Sequence, residues 1–177
     1  MKGAVIWFTG YSGSGKSTLA ERLCAHLRGR GLPVELLDGD ALRAQAPQMG
    51  FSKADRDQHV RRTGLAAADL ESRGVVAVAA LISPYAEARS YARGLCRNFV
   101  EIHVSTPLEV CRQRDPKGLY ARAARGELKG LTGVDDPYEH PENPDLAVDT
   151  SRSGVDEAAA AVISFVEARL GLHGTPR

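Results

Sequence analysis

Cysteine, tryptophan and methionine are scarce in this chain of 177 residues, with three Cys, one Trp and two Met. Cys24, Cys96 and Cys111 are odd in number and far apart, and their spacing suits neither a metal site nor a disulfide framework. That usage predicts a reducing compartment, the cytoplasm. Excess charge of either sign is lacking too: 23 basic side chains face 22 acidic ones, for a formal charge of +1. A global field that gathers nucleic acid is thereby excluded, so any anion has to be held locally. No apolar run approaches the ~20 residues that cross a bilayer. The apolar start passes directly into a glycine-rich loop and not into a cleavage site. Neither a membrane nor a nucleic-acid partner is expected. Repeats, heptads and low-complexity stretches are missing, as is any Asn-Lys-x-Asp element, the usual reader of guanine.

What is present is an ordinary globular composition, 43% apolar and 25% charged, in a length that suits one domain over residues 1–177. Ala4–Thr9 is a short apolar run of strand-formers closed by Gly10. Ser17–Arg30 carries Leu19, Leu23, Cys24 and Leu27 at helical spacing, and Pro33–Leu37 reads as a second strand stopped by Asp38-Gly39-Asp40. The pattern continues with a helix over Asp55–Arg73, a third and central strand over Val75–Ile82, a helix over Ala86–Arg97 and a strand over Phe99–Val104. Pro107–Arg114 is a short helix, Leu146–Val148 a last strand and Val155–Leu170 an amphipathic helix. Such alternation predicts an α/β fold, a mainly parallel central sheet covered by helices on both faces. Residues 115–144 break the rhythm with crowded Gly, Pro, Lys and Asp, and a segment of that length in a compact domain reads as a lid or binding loop.

Gly10-Tyr-Ser-Gly-Ser-Gly15-Lys16-Ser17 fits G-x-x-x-x-G-K-[ST], between a strand and a helix as that motif requires. Glycines let the backbone amides wrap phosphates, and the helix N-terminus adds positive partial charge. The spacing therefore predicts a P-loop nucleoside-triphosphate hydrolase fold that binds ATP through Gly10, Ser12, Gly13, Ser14, Gly15, Lys16, Ser17 and Thr18. Lys16 is placed on the β and γ phosphates, and Ser17 on Mg²⁺. Kinases, switches and motors share this cradle, so other residues have to decide between them. Asp38 and Asp40 stand at the carboxyl end of the second strand, the edge where open parallel sheets bind ligands. We take Asp40 as the group that orients or deprotonates an attacking hydroxyl, and Asp38 as support for the metal shell.

Several further blocks follow in order: Leu37-Asp-Gly-Asp40 with Arg43, Gly50-Phe-Ser52, Asp55-Arg56, Arg61-Arg62, Ile82-Ser-Pro-Tyr85 with Arg89, Arg114-Asp-Pro-Lys-Gly-Leu-Tyr120, and Thr132-Gly133 before Asp136-Pro-Tyr-Glu139. With them the chain, from Ile6 to about Pro144, resembles the adenylylsulfate kinases. The resemblance implies transfer of the γ-phosphoryl group of ATP to the 3′-hydroxyl of adenosine 5′-phosphosulfate, with Mg²⁺, in sulfate activation, and a homodimer. It assigns Arg43 and Arg56 to the anionic phosphosulfate, Phe51 to the adenine face, and Ile82-Ser83 to the acceptor nucleotide. It makes Lys117 the lid lysine, with Arg114 on the ATP side. Arg forks suit such anions bidentately. Ser83 has an alternative use as the cap of the following helix. Arg112, Arg122 and Arg125 read as a solvated basic face, ranked behind Lys117 and Arg114.

Two positions depart from the family pattern, His59 in place of Asn and Leu131 in place of the Phe before Thr-Gly. Loss of an aromatic platform at Leu131 weakens acceptor stacking by ~1–3 kcal/mol. His59 reads either as a half-buried polar residue or as a hydrogen-bond donor to the acceptor. Two other readings stay open on sequence alone. One is a relative that phosphorylates another nucleotide-linked or phosphorylated alcohol, and the other is a nucleotide-binding regulator without turnover.

Overall fold

A computed structural model describes residues 2–45, 50 and 52–172. Its five strands are β1 (Ala4–Thr9), β2 (Val34–Asp38), β3 (Val76–Ala80), β4 (Phe99–Val104) and β5 (Leu146–Val148). They form one sheet in the order β2-β3-β1-β4-β5, with every pairing parallel. The expected parallel sheet is therefore present. The middle position belongs to β1, however, and not to the Val75–Ile82 run, which lies between β2 and β1 and is shorter than its sequence suggested. Parallel strands require crossovers, and α1 (Lys16–Gly29), α3 (Lys53–Ser72), α4 (Ala86–Leu95) and α7 (Gly154–Leu170) supply the long helices that cover the sheet.

Strand alternation sorts the apolar side chains between two layers. Ile6 and Phe8 of β1 join Leu19, Leu23, Val162 and Val166 under α1 and α7. Val5 and Trp7 join Val60, Ala67, Ala88 and Ala92 under α3 and α4. α3 and α4 approach closely because residue 64 is glycine: a Cβ there would stand 2.9 Å from the Cβ of Ala92. None of the helices among the described residues is long and apolar enough to cross a membrane.

Short helices appear where the second strand was expected to stop and inside the expected loop. The Asp38 carboxylate accepts from the amides of Asp40 and Ala41, 3.0 Å each, and caps α2 (Gly39–Ala44). α5 (Leu108–Arg114) is followed by α6 (Leu119–Ala124), inside the segment expected to be irregular. Asp115 starts α6 by accepting from the amides of Tyr120 (3.1 Å) and Ala121 (2.9 Å). α3 begins earlier than expected, since Ser52 and Asp55 form a capping box.

Candidate active site

β1 ends at the glycine-rich loop in the middle of the sheet. Register sets Phe8 beside Ala80, and Ala80 beside Asp38, so the acidic corner and the loop lie at one edge. Gly10 has φ of 152°, and a Cβ there would fall 2.6 Å from the Val104 carbonyl oxygen. No other residue lets the strand enter the loop this way. The loop is held from outside by its carbonyls. Tyr120 Oη donates to Ser12 O at 2.9 Å, and Arg114 Nη1 to Gly13 O at 3.4 Å. Ser14 O takes the hydroxyls of Thr150 (2.8 Å) and Thr106 (3.1 Å). Among the described residues no protein acceptor takes the amides of Gly13, Gly15, Lys16 or Ser17. That outward hold on the carbonyls is what makes an anion cradle.

Lys16 is buried, and its Nζ donates back to Tyr11 O at 2.6 Å and to Ser14 Oγ at 3.4 Å. Burial pulls its pKa down to about 8, and the charge of Lys117 pulls in the same direction. Ser17 Oγ donates to Asp38 Oδ2 at 3.2 Å, while Asp38 Oδ1 is engaged with α2. Asp40 is ion-paired with Lys117.

Of these groups Lys16, Ser17, Asp40 and Lys117 open on a cleft of about 320 Å³, within the range of small-ligand sites; Asp38 stands behind Ser17, outside the lining. Lys16, Arg43, Arg56, Lys117, Arg122 and Lys129 line it, against Asp40 as the one carboxylate among the described lining residues. Its walls include Ser12, Ser17, Gly39, His59, Ile82, Ser83 and Leu131. The cleft is thus built for a polyanion beside a single acid.

The expected site residues meet here with several differences. Arg43 reaches Gly50 O at 2.7 Å. Arg56 is not on a solvated face: it is buried, pairs with Asp136 at 3.1 Å, and also bonds Thr132 and the Gly130 carbonyl. Ile82 gives its carbonyl to Thr9 Oγ1 at 2.7 Å. Ser83 does not cap α4, whose N-cap is Tyr85; Ser83 Oγ instead accepts from the Trp7 indole N–H at 3.1 Å. Leu131 is buried with Cys111 and Tyr120 in a small core under α5 and α6, and still edges the cleft. Arg114 lies outside the lining and braces the loop through Thr150, so Arg122, ranked below it, is the arginine of α6 that faces the cleft. Thr18 is exposed, away from the lining. Phe51 lies outside the described residues.

His59 is buried and bonded to the backbone, nearer the first of its two readings than the second. Its Nε2 is 3.1 Å from the Gly39 carbonyl, which only accepts, so Nε2 carries the proton. Burial first, and then the charge of Arg43, hold the ring's pKa below its ordinary value. At neutral pH Nδ1 is therefore an acceptor, and His59 is no donor to an anion. Lys129, Thr106 and Thr150 were not anticipated. Thr150 follows β5 at the same sheet edge, a positional signal; nothing local distinguishes Lys129.

Comparison with known proteins places this site in context. A family model described as adenylylsulphate kinase matches residues 2–149. A probable adenylyl-sulfate kinase of Pyrococcus abyssi is 52% identical over 92% of this chain and 94% of its own length. An adenylyl-sulfate kinase of Halothermothrix orenii is 44% identical over 94% and 90%. Among solved structures, a Mycobacterium tuberculosis APS kinase in complex with AMPPNP and APS superposes with a TM-score of 0.88. It is 43% identical over 94% of this chain and 98% of that one.

Proposed function

The chain belongs to the adenylylsulphate kinase family, and from that premise we propose that its cleft transfers the γ-phosphoryl group of ATP to the 3′-hydroxyl of adenosine 5′-phosphosulfate. The observation that carries this reading is the shared wall: Lys16 and Ser17 of the phosphate loop line the same cleft as Asp40. The free amides of the loop and Lys16 hold the triphosphate of ATP, and the cations across the cleft take the phosphosulfate. Asp40 orients the alcohol and accepts its proton as the new O–P bond forms and ADP leaves. Lys117, which pairs with Asp40, exchanges that carboxylate for phosphate oxygens as segment 115–144 closes.

Ser17 Oγ and Asp38 Oδ2, 3.2 Å apart, are hard oxygen donors of the kind Mg²⁺ takes, so the pair fits that ion directly or through water. When bound, Mg²⁺ supplies charge neutralisation on the β and γ phosphate oxygens. The three free cysteines support a reducing cytoplasm, and we carry forward a homodimer as the assembly. Light scattering on the purified protein decides the latter.

The test is ADP release with ATP and Mg²⁺, alone and with adenosine 5′-phosphosulfate. Acceptor-dependent release with a 3′-phosphorylated product supports the reading. Release that ignores this acceptor but follows another nucleotide-linked alcohol replaces the substrate and keeps the reaction type. Leu131 and His59 make that second arm worth running.

A further inference from the structure

The wall beside the phosphate loop contains a strained residue. Ser83 has φ of 41°, one of two described non-glycine residues in the left-handed region. Such a conformation persists only where the surroundings impose it. Trp7 binds the Ser83 hydroxyl from below at 3.1 Å, and Arg89 Nη1 holds its carbonyl at 2.7 Å.

Arg89 belongs to α4 and is 4% exposed. Its Nη2 donates to the Glu139 carbonyl at 2.6 Å, and its Nε stands 3.0 Å from Glu101 Oε1 on β4. Nη1 and Nη2 thus bond two different segments, while Nε faces the Glu101 carboxylate as an ion pair without a hydrogen bond to Oε1. Glu139 returns the connection: its amide donates to Pro84 O at 2.8 Å, and its carboxylate accepts from the Ala86 amide at 2.6 Å. Arg89 does not line the cleft. It lies behind the Ile82–Pro84 wall, on a separate cavity of about 390 Å³ that Glu101 and Glu139 also line. An apolar pair would fill the place of a buried Arg–Glu pair without loss of fold. What an apolar pair cannot do is hold two carbonyls at a fixed separation, which needs the planar fork.

We propose that Arg89 is a positioning residue for phosphoryl transfer: by clamping the carbonyls of Ser83 and Glu139 together, it fixes the wall against which the acceptor alcohol is held. The proposal rests on the reading above that this wall meets the acceptor. It touches no substrate, so its effect falls on the acceptor side and spares the nucleotide.

The chain carries its own reporter, since Trp7 is the sole tryptophan and its N–H is bonded to Ser83. The test compares wild type, Arg89→Lys and the double variant Arg89→Met/Glu101→Leu, which leaves no buried charge alone. Thermal unfolding, KM for ATP, kcat/KM for adenosine 5′-phosphosulfate and Trp7 emission are measured on each. We expect the double variant to keep KM for ATP within twofold, to lose at least tenfold in kcat/KM for the acceptor, and to shift Trp7 emission. Arg89→Lys reaches one carbonyl but not both, and is expected to lose at least fivefold on the acceptor side; it also covers the case in which the double variant fails to fold. Acceptor kinetics within twofold of wild type with unchanged Trp7 emission would overturn the role, as would equal losses for ATP and acceptor. Shifted emission in Arg89→Lys, which keeps Glu101 beside Trp7, with a wild type inactive on this acceptor supports the clamp and overturns the substrate assignment instead.

Discussion

Single side chains carry the sharpest consequences. Lys16 has a pKa near 8 in the free protein because it is buried beside Lys117. Bound phosphates favour its charged form, so binding raises that pKa and takes up a proton. Nucleotide affinity should be level below pH 8 and fall by up to tenfold per unit above it. Calorimetry at pH 8 in buffers of different ionisation heat should show proton uptake, and Lys16→Arg, which stays charged, should abolish both effects. Lys16→Ala should abolish turnover. Leu131→Phe brings two opposed terms: stacking on the acceptor gains ~1–3 kcal/mol, while overpacking the cluster with Cys111 and Tyr120 costs ~1–3 kcal/mol. Because Leu131 edges the cleft, we expect a lower acceptor KM together with a melting point reduced by several degrees. Unchanged or weaker acceptor affinity counts against this placement of Leu131.

At the scale of elements, the segment between α5 and β5 is tied to the phosphate loop through Tyr120, whose hydroxyl bonds the Ser12 carbonyl at 2.9 Å. Tyr120→Phe removes that bond while keeping the ring in its small core, at a cost of about 1 kcal/mol. KM for ATP should rise severalfold with little change in acceptor KM, measured by initial rates; an unaffected ATP KM would uncouple the two elements. The strands β1, β4 and β5 were legible to the residue because short runs of strand-formers bounded by Gly, Asn, Ser and Asp have few other readings. α2 and α6 were not. Asp38, the cap of α2, and Asp115, which accepts from the first amides of α6, sit in runs that also spell turns, and six-residue helices offer too little periodicity to decide. The glycine-rich loop and the acidic corner were legible as motifs. Which basic residue faces inward was not, since Arg114 and Arg122 differ only by a tertiary arrangement that local sequence does not encode.

Across the whole molecule, the Lys117–Asp40 pair joins segment 115–144 to the acidic corner. In the proposed mechanism it links the group that meets phosphate to the group that meets the alcohol. Lys117→Met should therefore act twice. It should lower kcat/KM for ATP by at least tenfold, an expected size for one charge on the transferring group. By removing the second largest cause of the low Lys16 pKa, it should also move the alkaline loss of nucleotide affinity to higher pH. A pH profile that stays in place would show that the two lysines do not sense one another. The same geometry, a cationic cleft in which the phosphate loop and Asp40 share one wall, underlies every role assigned above.

The measurement that tests it most directly is a single-turnover reaction of γ-labelled ATP with adenosine 5′-phosphosulfate, in wild type and Asp40→Asn. Wild type should place the label on the 3′-oxygen of the acceptor, while Asp40→Asn should bind ATP within a few-fold of normal and transfer ~10²-fold or more slowly. Transfer at the wild-type rate by Asp40→Asn would contradict the account.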